Sequence, residues 1–107
     1  MTKEIDILLE RISYISIELY KNNLIGVADE ICEMFPKINQ LLLKLIGDRD
    51  RYKEIGIEVP QNILISQVKN FLEAFEYKDV LMLADTMKFE IHEGLSYYRE
   101  LLINTGI

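Results

Sequence analysis

Apolar positions recur at alternating three- and four-residue steps through most of the chain, the spacing that draws one stripe down an α-helix. The longest such run is residues 79–104, where Val80, Ala84, Met87, Ile91, Gly94 or Leu95, Tyr98 and Leu101 keep one phase. Asp79 stands where an N-cap belongs and Gly106 lies just past the end, so both termini of this helix are marked. Near the start of the chain, Ile5, Leu8, Leu9, Ile12, Ile15 and Leu19 predict a first helix, with Glu4 and Asp6 at the end where the helix dipole favours acids. After the polar break Lys21-Asn22-Asn23, a second stripe runs through Leu24, Ala28, Ile31, Phe35, Ile38, Leu42 and Leu45 as far as Gly47. Pro36 falls inside it and deletes one backbone hydrogen bond, yet the stripe keeps phase, which predicts a single helix bent at Pro36. Pro60 suits the first turn of a third helix, carried by Leu64, Val68, Phe71 and Phe75 and ending near Tyr77-Lys78.

Residues 47–59 hold two glycines, seven charged residues and no sustained period, and read as the linker. The pattern therefore predicts one all-α domain over residues 1–107: an antiparallel four-helix bundle made of a hairpin at 2–46, a crossing linker at 47–59 and a hairpin at 60–104. Shifting the chain by 56 residues superposes the two halves without a gap, setting Leu8 on Leu64, Ile12 on Val68, Ala28-Asp29 on Ala84-Asp85 and Leu45 on Leu101. Any two amphipathic hairpins align their apolar positions, so both an internal duplication and coincidence stay open. The small Ala28 and Ala84 predict a close approach of the second and fourth helices.

With 107 residues, half of them hydrophobic, the chain can bury a core without disulfides or metals. No apolar run is long enough to cross a bilayer, and the charged start MTKEIDILLE is no secretion signal, which together predict a cytoplasmic protein without a membrane partner. The single cysteine, Cys32, fits a reducing compartment. A net charge of -6 disfavours nucleic acid and anionic lipid, and the basic cluster Arg49, Arg51 and Lys53 is cancelled by Asp48, Asp50 and Glu54.

Candidate chemistry is sparse. Carboxylate-bridged metal sites in bundles need Glu-x-x-His pairs, and the one histidine, His92, has Phe89 three positions earlier. His92 projects away from the core stripe, Cys32 lies beside the second stripe where a buried thiol is expected, and Asp29 and Asp85 point to solvent where surface ion pairing is expected. The five glycines form no phosphate-binding loop. No catalytic residue, cofactor or metal is expected.

The fourth helical stretch contains Leu83-Ala84-Asp85, then Glu90-Ile91 and Leu95, and there it resembles an uncharacterised family of small helical proteins from Gram-positive bacteria. That family follows an aromatic-acidic pair with a proline, whereas here Phe89-Glu90 leads to His92. The resemblance implies a bacterial helical protein and no activity.

These features point to a non-enzymatic protein–protein interaction module. One alternative is an export or flagellar-type chaperone that shields an amphipathic client segment, by analogy of size, charge and helicity. Another is a small-ligand binder or enzyme with its site between the hairpins, lined by Tyr20, Cys32 and Tyr98. At about 100° per residue, Met82 and Phe89 point away from the stripe of the fourth helix, and Ile7 and Tyr14 away from that of the first. In a closed bundle these helices are antiparallel neighbours with Tyr14 level with Phe89. The third helix offers a contrast, its outward positions being Ser66, Lys69, Asn70 and Glu73. The four apolar residues are thus expected to form one patch for self-association or for docking a partner's amphipathic helix.

Overall fold

A computed structural model describes residues 1–107 and contains helices and turns with no strand. Its five helices are α1 (Thr2–Tyr20), α2 (Leu24–Gly47), α3 (Arg49–Glu54), α4 (Gln61–Glu76) and α5, which runs over residues 80–105. Helix α5 consists of Val80–Thr86, a π-helical turn at Met87–Ile91 and His92–Thr105 in unbroken succession. No helix is long and apolar enough to cross a membrane.

The two hairpin turns are built alike. After α1, the Asn22 N–H donates to the Leu19 carbonyl (2.8 Å) and the Asn23 N–H to that of Glu18 (2.9 Å); 56 residues later, Lys78 donates to Phe75 (3.2 Å) and Asp79 to Ala74 (3.0 Å). This pair of bonds is the Schellman ending, and it requires a left-handed residue, supplied by Asn22 (φ 60°) and Lys78 (φ 54°). The next residue then caps the following helix: Asn23 Oδ1 accepts from the Gly26 N–H and Asp79 Oδ1 from the Met82 N–H, both at 3.1 Å.

Helix α1 packs against α2 and along the length of α5, α4 packs against Val80–Thr86 and the π turn, and α2 meets His92–Thr105 and α4. The apolar stripes join in one core of 25 buried residues. In α1 and α5 the buried positions follow the sequence pattern: Ile5, Leu8, Ile12, Ile15 and Leu19 in the first, Ala84, Met87, Ile91, Leu95, Tyr98 and Leu101 in the second. In α2 the buried stripe is Val27, Ile31, Met34, Ile38, Leu42 and Leu45, one residue earlier than expected in the first half, leaving Leu24, Ala28 and Phe35 half-buried. Adjacent apolar pairs such as 27/28 and 34/35 permit either phase, and packing against α1, α4 and α5 together selects the earlier one. Phe35 still contributes by stacking on Phe71 of α4, ring centres 5.5 Å apart.

Helix α2 is continuous through Pro36. Pro36 and Cys32, whose carbonyl loses its usual donor, both lie on the exposed side of the helix, where water can replace the missing bond.

Three expectations need correction. The linker at 47–59 contains α3, whose Tyr52 is wholly buried; one apolar side chain in six residues anchors the helix without creating a period. Gly56, at φ 84°, ends α3 with the same Schellman pair, Gly56 N–H to Lys53 and Ile57 N–H to Tyr52. The close approach expected at Ala28 and Ala84 lies elsewhere, because Val80–Thr86 packs on α1 and α4. It is Gly94 that admits neighbours: a Cβ there would sit 3.4 Å from Leu64 Cδ2 and 3.9 Å from Leu42 Cδ2. Finally, the outer side of α4 is not purely polar, since Ile63, Ile65 and Leu72 are exposed.

Candidate functional site

Two side-chain links set the register of α1 against α5. Arg99 Nε donates to Asp6, and the Tyr20 hydroxyl donates to Asp85, so the links are fourteen residues apart on each helix and the helices run antiparallel. On this register Tyr14 lies level with Ile91, and so within two residues of Phe89, close to the expected pairing. Ile7 lies level with Tyr98, and Met82 is sixteen residues, about 24 Å, away along the axis.

The four candidate residues Ile7, Tyr14, Met82 and Phe89 are all exposed, but the register divides them. Ile7 lines a groove of about 590 Å³ between α1 and α2 with Leu8, Arg11, Lys37, Leu41 and Lys44. Met82 and Phe89 instead share a groove of about 460 Å³ on the outer face of α5 with Asp79, Leu81, Asp85 and Glu90. Ile7 therefore lies apart from Met82 and Phe89, while Tyr14 lines neither groove and stays near the level of Phe89. The outward angle of each residue was readable from its own helix, whereas the separation of Ile7 from Met82 depends on how far along the bundle each sits.

Met82 and Phe89 belong together for a local reason. They are seven residues apart on one helix, two turns or about 10 Å along the same face. Leu81 joins them, and the three side chains are 64%, 41% and 59% exposed for Leu81, Met82 and Phe89. Phe89 and Glu90 stand on the π turn, a helix form that recurs at functional sites. Beside them, Lys88 places its ammonium 5.2 Å from the Phe89 ring centre and 5.6 Å from that of Tyr20.

Other candidates are dispersed. Asp85 accepts from a phenol rather than pairing with a cation, and that bond pushes the Tyr20 pKa up to about 12, with desolvation and the Asp85 charge acting the same way. Asp29 is exposed and makes no ion pair. Cys32 is exposed rather than buried, a consequence of the rotated α2 stripe. His92 is half-buried, its Nδ1 3.5 Å from Ser96 Oγ. Tyr20, Cys32 and Tyr98 line no common cavity: the first two face solvent at other levels, and Tyr98 is fully buried, donating to Met1 Sδ at 3.2 Å. No three His, Cys, Asp or Glu side chains converge as a metal-binding group.

Asp79, Leu81, Thr86 and Glu90 are the groove residues that sequence reasoning does not single out. In sequence Asp79 reads as a cap, Leu81 sits beside the outward direction rather than on it, and Glu90 in the structure also borders Asn62, Gln67 and Asn70 of α4. No family model, curated protein or solved structure matches the chain.

Proposed function

We propose that this chain is a non-enzymatic interaction module: an antiparallel four-helix bundle of α1, α2, α4 and α5, closed at one end by α3, that docks a partner protein on the outer face of α5. Its two hairpins are proposed to be copies of one unit, a reading supported by identical turn bonding at the 56-residue shift found in sequence. The observation that carries the functional reading is the contiguous exposure of Leu81, Met82 and Phe89 in one groove, two turns long, on a helix whose opposite face is fully committed to the core. Large apolar side chains grouped in this way cost solvation unless a partner covers them.

The test is the double variant Met82→Ser/Phe89→Ser, followed by thermal unfolding, molar mass in solution and recovery of binding partners. The expected variant melts within a few degrees of the parent and loses partner binding or self-association. A control, Ile7→Ser, lies in the separate α1–α2 groove and is expected to retain it. A folded Met82/Phe89 variant with unchanged mass and partners would overturn the proposal.

A further inference from the structure

We infer that the α5 groove accepts a basic amphipathic helix from another protein; this rests on the docking face proposed above and adds the chemistry of what docks there. The groove combines its three exposed apolar side chains with three carboxylates, Asp79, Asp85 and Glu90. None of these is in an ion pair. Asp79 accepts only the Met82 N–H and Asp85 only the Tyr20 hydroxyl, while Glu90 Oε2 is buried with no hydrogen-bond partner at all. Such a carboxylate is under-satisfied within its own chain. Lys88 lies to the α1 side, held over the Tyr20 and Phe89 rings rather than against these acids.

The α1–α2 groove makes the contrast. Its cations are matched internally: Arg11 by Glu30 at 3.0 Å and Glu33 at 3.6 Å, Lys37 by Glu33 at 3.8 Å, and Lys44 by Asp48 at 3.1 Å. The chain thus pairs every cationic side chain beside one groove, where Glu4 is the one charged side chain without an ion pair, and leaves three carboxylates unpaired beside the other. A helix with apolar residues at i, i+3 or i+4, and i+7 can seat them on Leu81, Met82 and Phe89, with Lys or Arg on its flanks reaching Asp79, Asp85 and the outer oxygen of Glu90. The net charge of -6 draws such a partner from a distance. A second copy of this chain is a poorer match, because its dense basic cluster, Arg49, Arg51 and Lys53, is interleaved with acids, its α1–α2 cations are already paired, and the exposed apolar side of α4 carries the single cation Lys69.

The probe is a labelled synthetic helix of about 18 residues, roughly 27 Å long, with leucine on one face and lysine on the other, against the same peptide with glutamate for lysine. Fluorescence anisotropy with the full chain is expected to show binding of the lysine peptide alone, weakened about tenfold or more by raising salt to 0.5 M. Glu90→Gln, alone or with Asp85→Asn, is expected to weaken binding several-fold, and Phe89→Ser to weaken it further. Glu54→Gln/Glu58→Gln, which removes two exposed charges elsewhere, is expected to change it little. Circular dichroism checks each fold, and Glu90→Gln stands alone if Asp85→Asn disturbs α1. Equal binding of the glutamate peptide, equal loss from the Glu54/Glu58 control, or unchanged binding by Phe89→Ser overturns the inference. If neither peptide binds but Met82→Ser/Phe89→Ser still abolishes self-association, the docking face stands and the basic partner falls.

Discussion

Tyr52 offers the sharpest test of how α3 is held. Its side chain is 0% exposed, and its hydroxyl is buried without a hydrogen-bond partner. An unsatisfied buried polar group costs about 1–3 kcal/mol, while the ring itself contributes the usual gain of a buried aromatic. Tyr52→Phe keeps the ring and removes the orphaned oxygen, so it is expected to raise stability by about 1 kcal/mol, or Tm by about 4 °C for a chain of this size. Urea and thermal unfolding at pH 7 measure this. The pH profile supplies a second reading. Burial pushes the Tyr52 pKa above its ordinary 10.0 and Asp48 acts the same way, with Lys44, Arg51 and the nearby Thr105 hydroxyl opposing. Thr105 Oγ1 is engaged by Leu101 and Ile107 and makes no hydrogen bond of good geometry to Tyr52. The folded state therefore holds its proton more tightly than the unfolded one, and the associated stability is intact below pH 10 and lost as pH rises through the folded-state value. The advantage of Tyr52→Phe should be constant below pH 10 and widen above it. A variant less stable than the parent by more than about 1 kcal/mol would refute the reasoning, showing that the hydroxyl is satisfied in solution by Thr105 or by a buried water.

Two further outcomes test the core and the turns. Phe71→Ala removes a ring that is 2% exposed and stacked on Phe35, and is expected to cost about 3–5 kcal/mol in urea unfolding; a loss below about 1 kcal/mol would mean that α4 does not present this face to α2. Lys78→Gly relieves a left-handed lysine and is expected to stabilise by about 0.5–1 kcal/mol, with Asn22→Gly gaining less because asparagine tolerates that conformation; equal or opposite effects in thermal melts would argue against the left-handed turn at Lys78.

What was legible in the sequence was whatever a single helix determines by itself. The stripes of α1 and α5, the Asp79 cap and the Gly106 ending need only local spacing and local hydrogen bonds, and all appear in the fold. What was missed depends on neighbours. The phase of α2 is ambiguous in sequence because apolar residues come in adjacent pairs, and the choice that exposes Cys32 is made by α1, α4 and α5. Helix α3 is a helix because Tyr52 finds the end of the core, not because its six residues are patterned. The π turn contains neither proline nor glycine, so nothing in Met87–Ile91 announces it.

The same division runs through the candidate site. Exposure of Ile7, Tyr14, Met82 and Phe89 follows from helical angle alone and was readable, but which of them are neighbours depends on register, fixed by Asp6 with Arg99 and by Tyr20 with Asp85. Those links are exposed polar pairs, of a kind worth little to stability, and no periodicity encodes them. The 56-residue shift was visible in apolar positions that any hairpin would share. In the structure the two turns also match at the left-handed residue, both Schellman carbonyls and the capping side chain, although α3 repeats the Schellman ending at Gly56. At that shift the π turn falls on residues 31–35 of α2, ordinary α-helix that continues through Pro36. The groove spans both kinds of position: Asp79 and Asp85 fall on Asn23 and Asp29 at the 56-residue shift, whereas Phe89 and Glu90 stand on a π turn that α2 lacks.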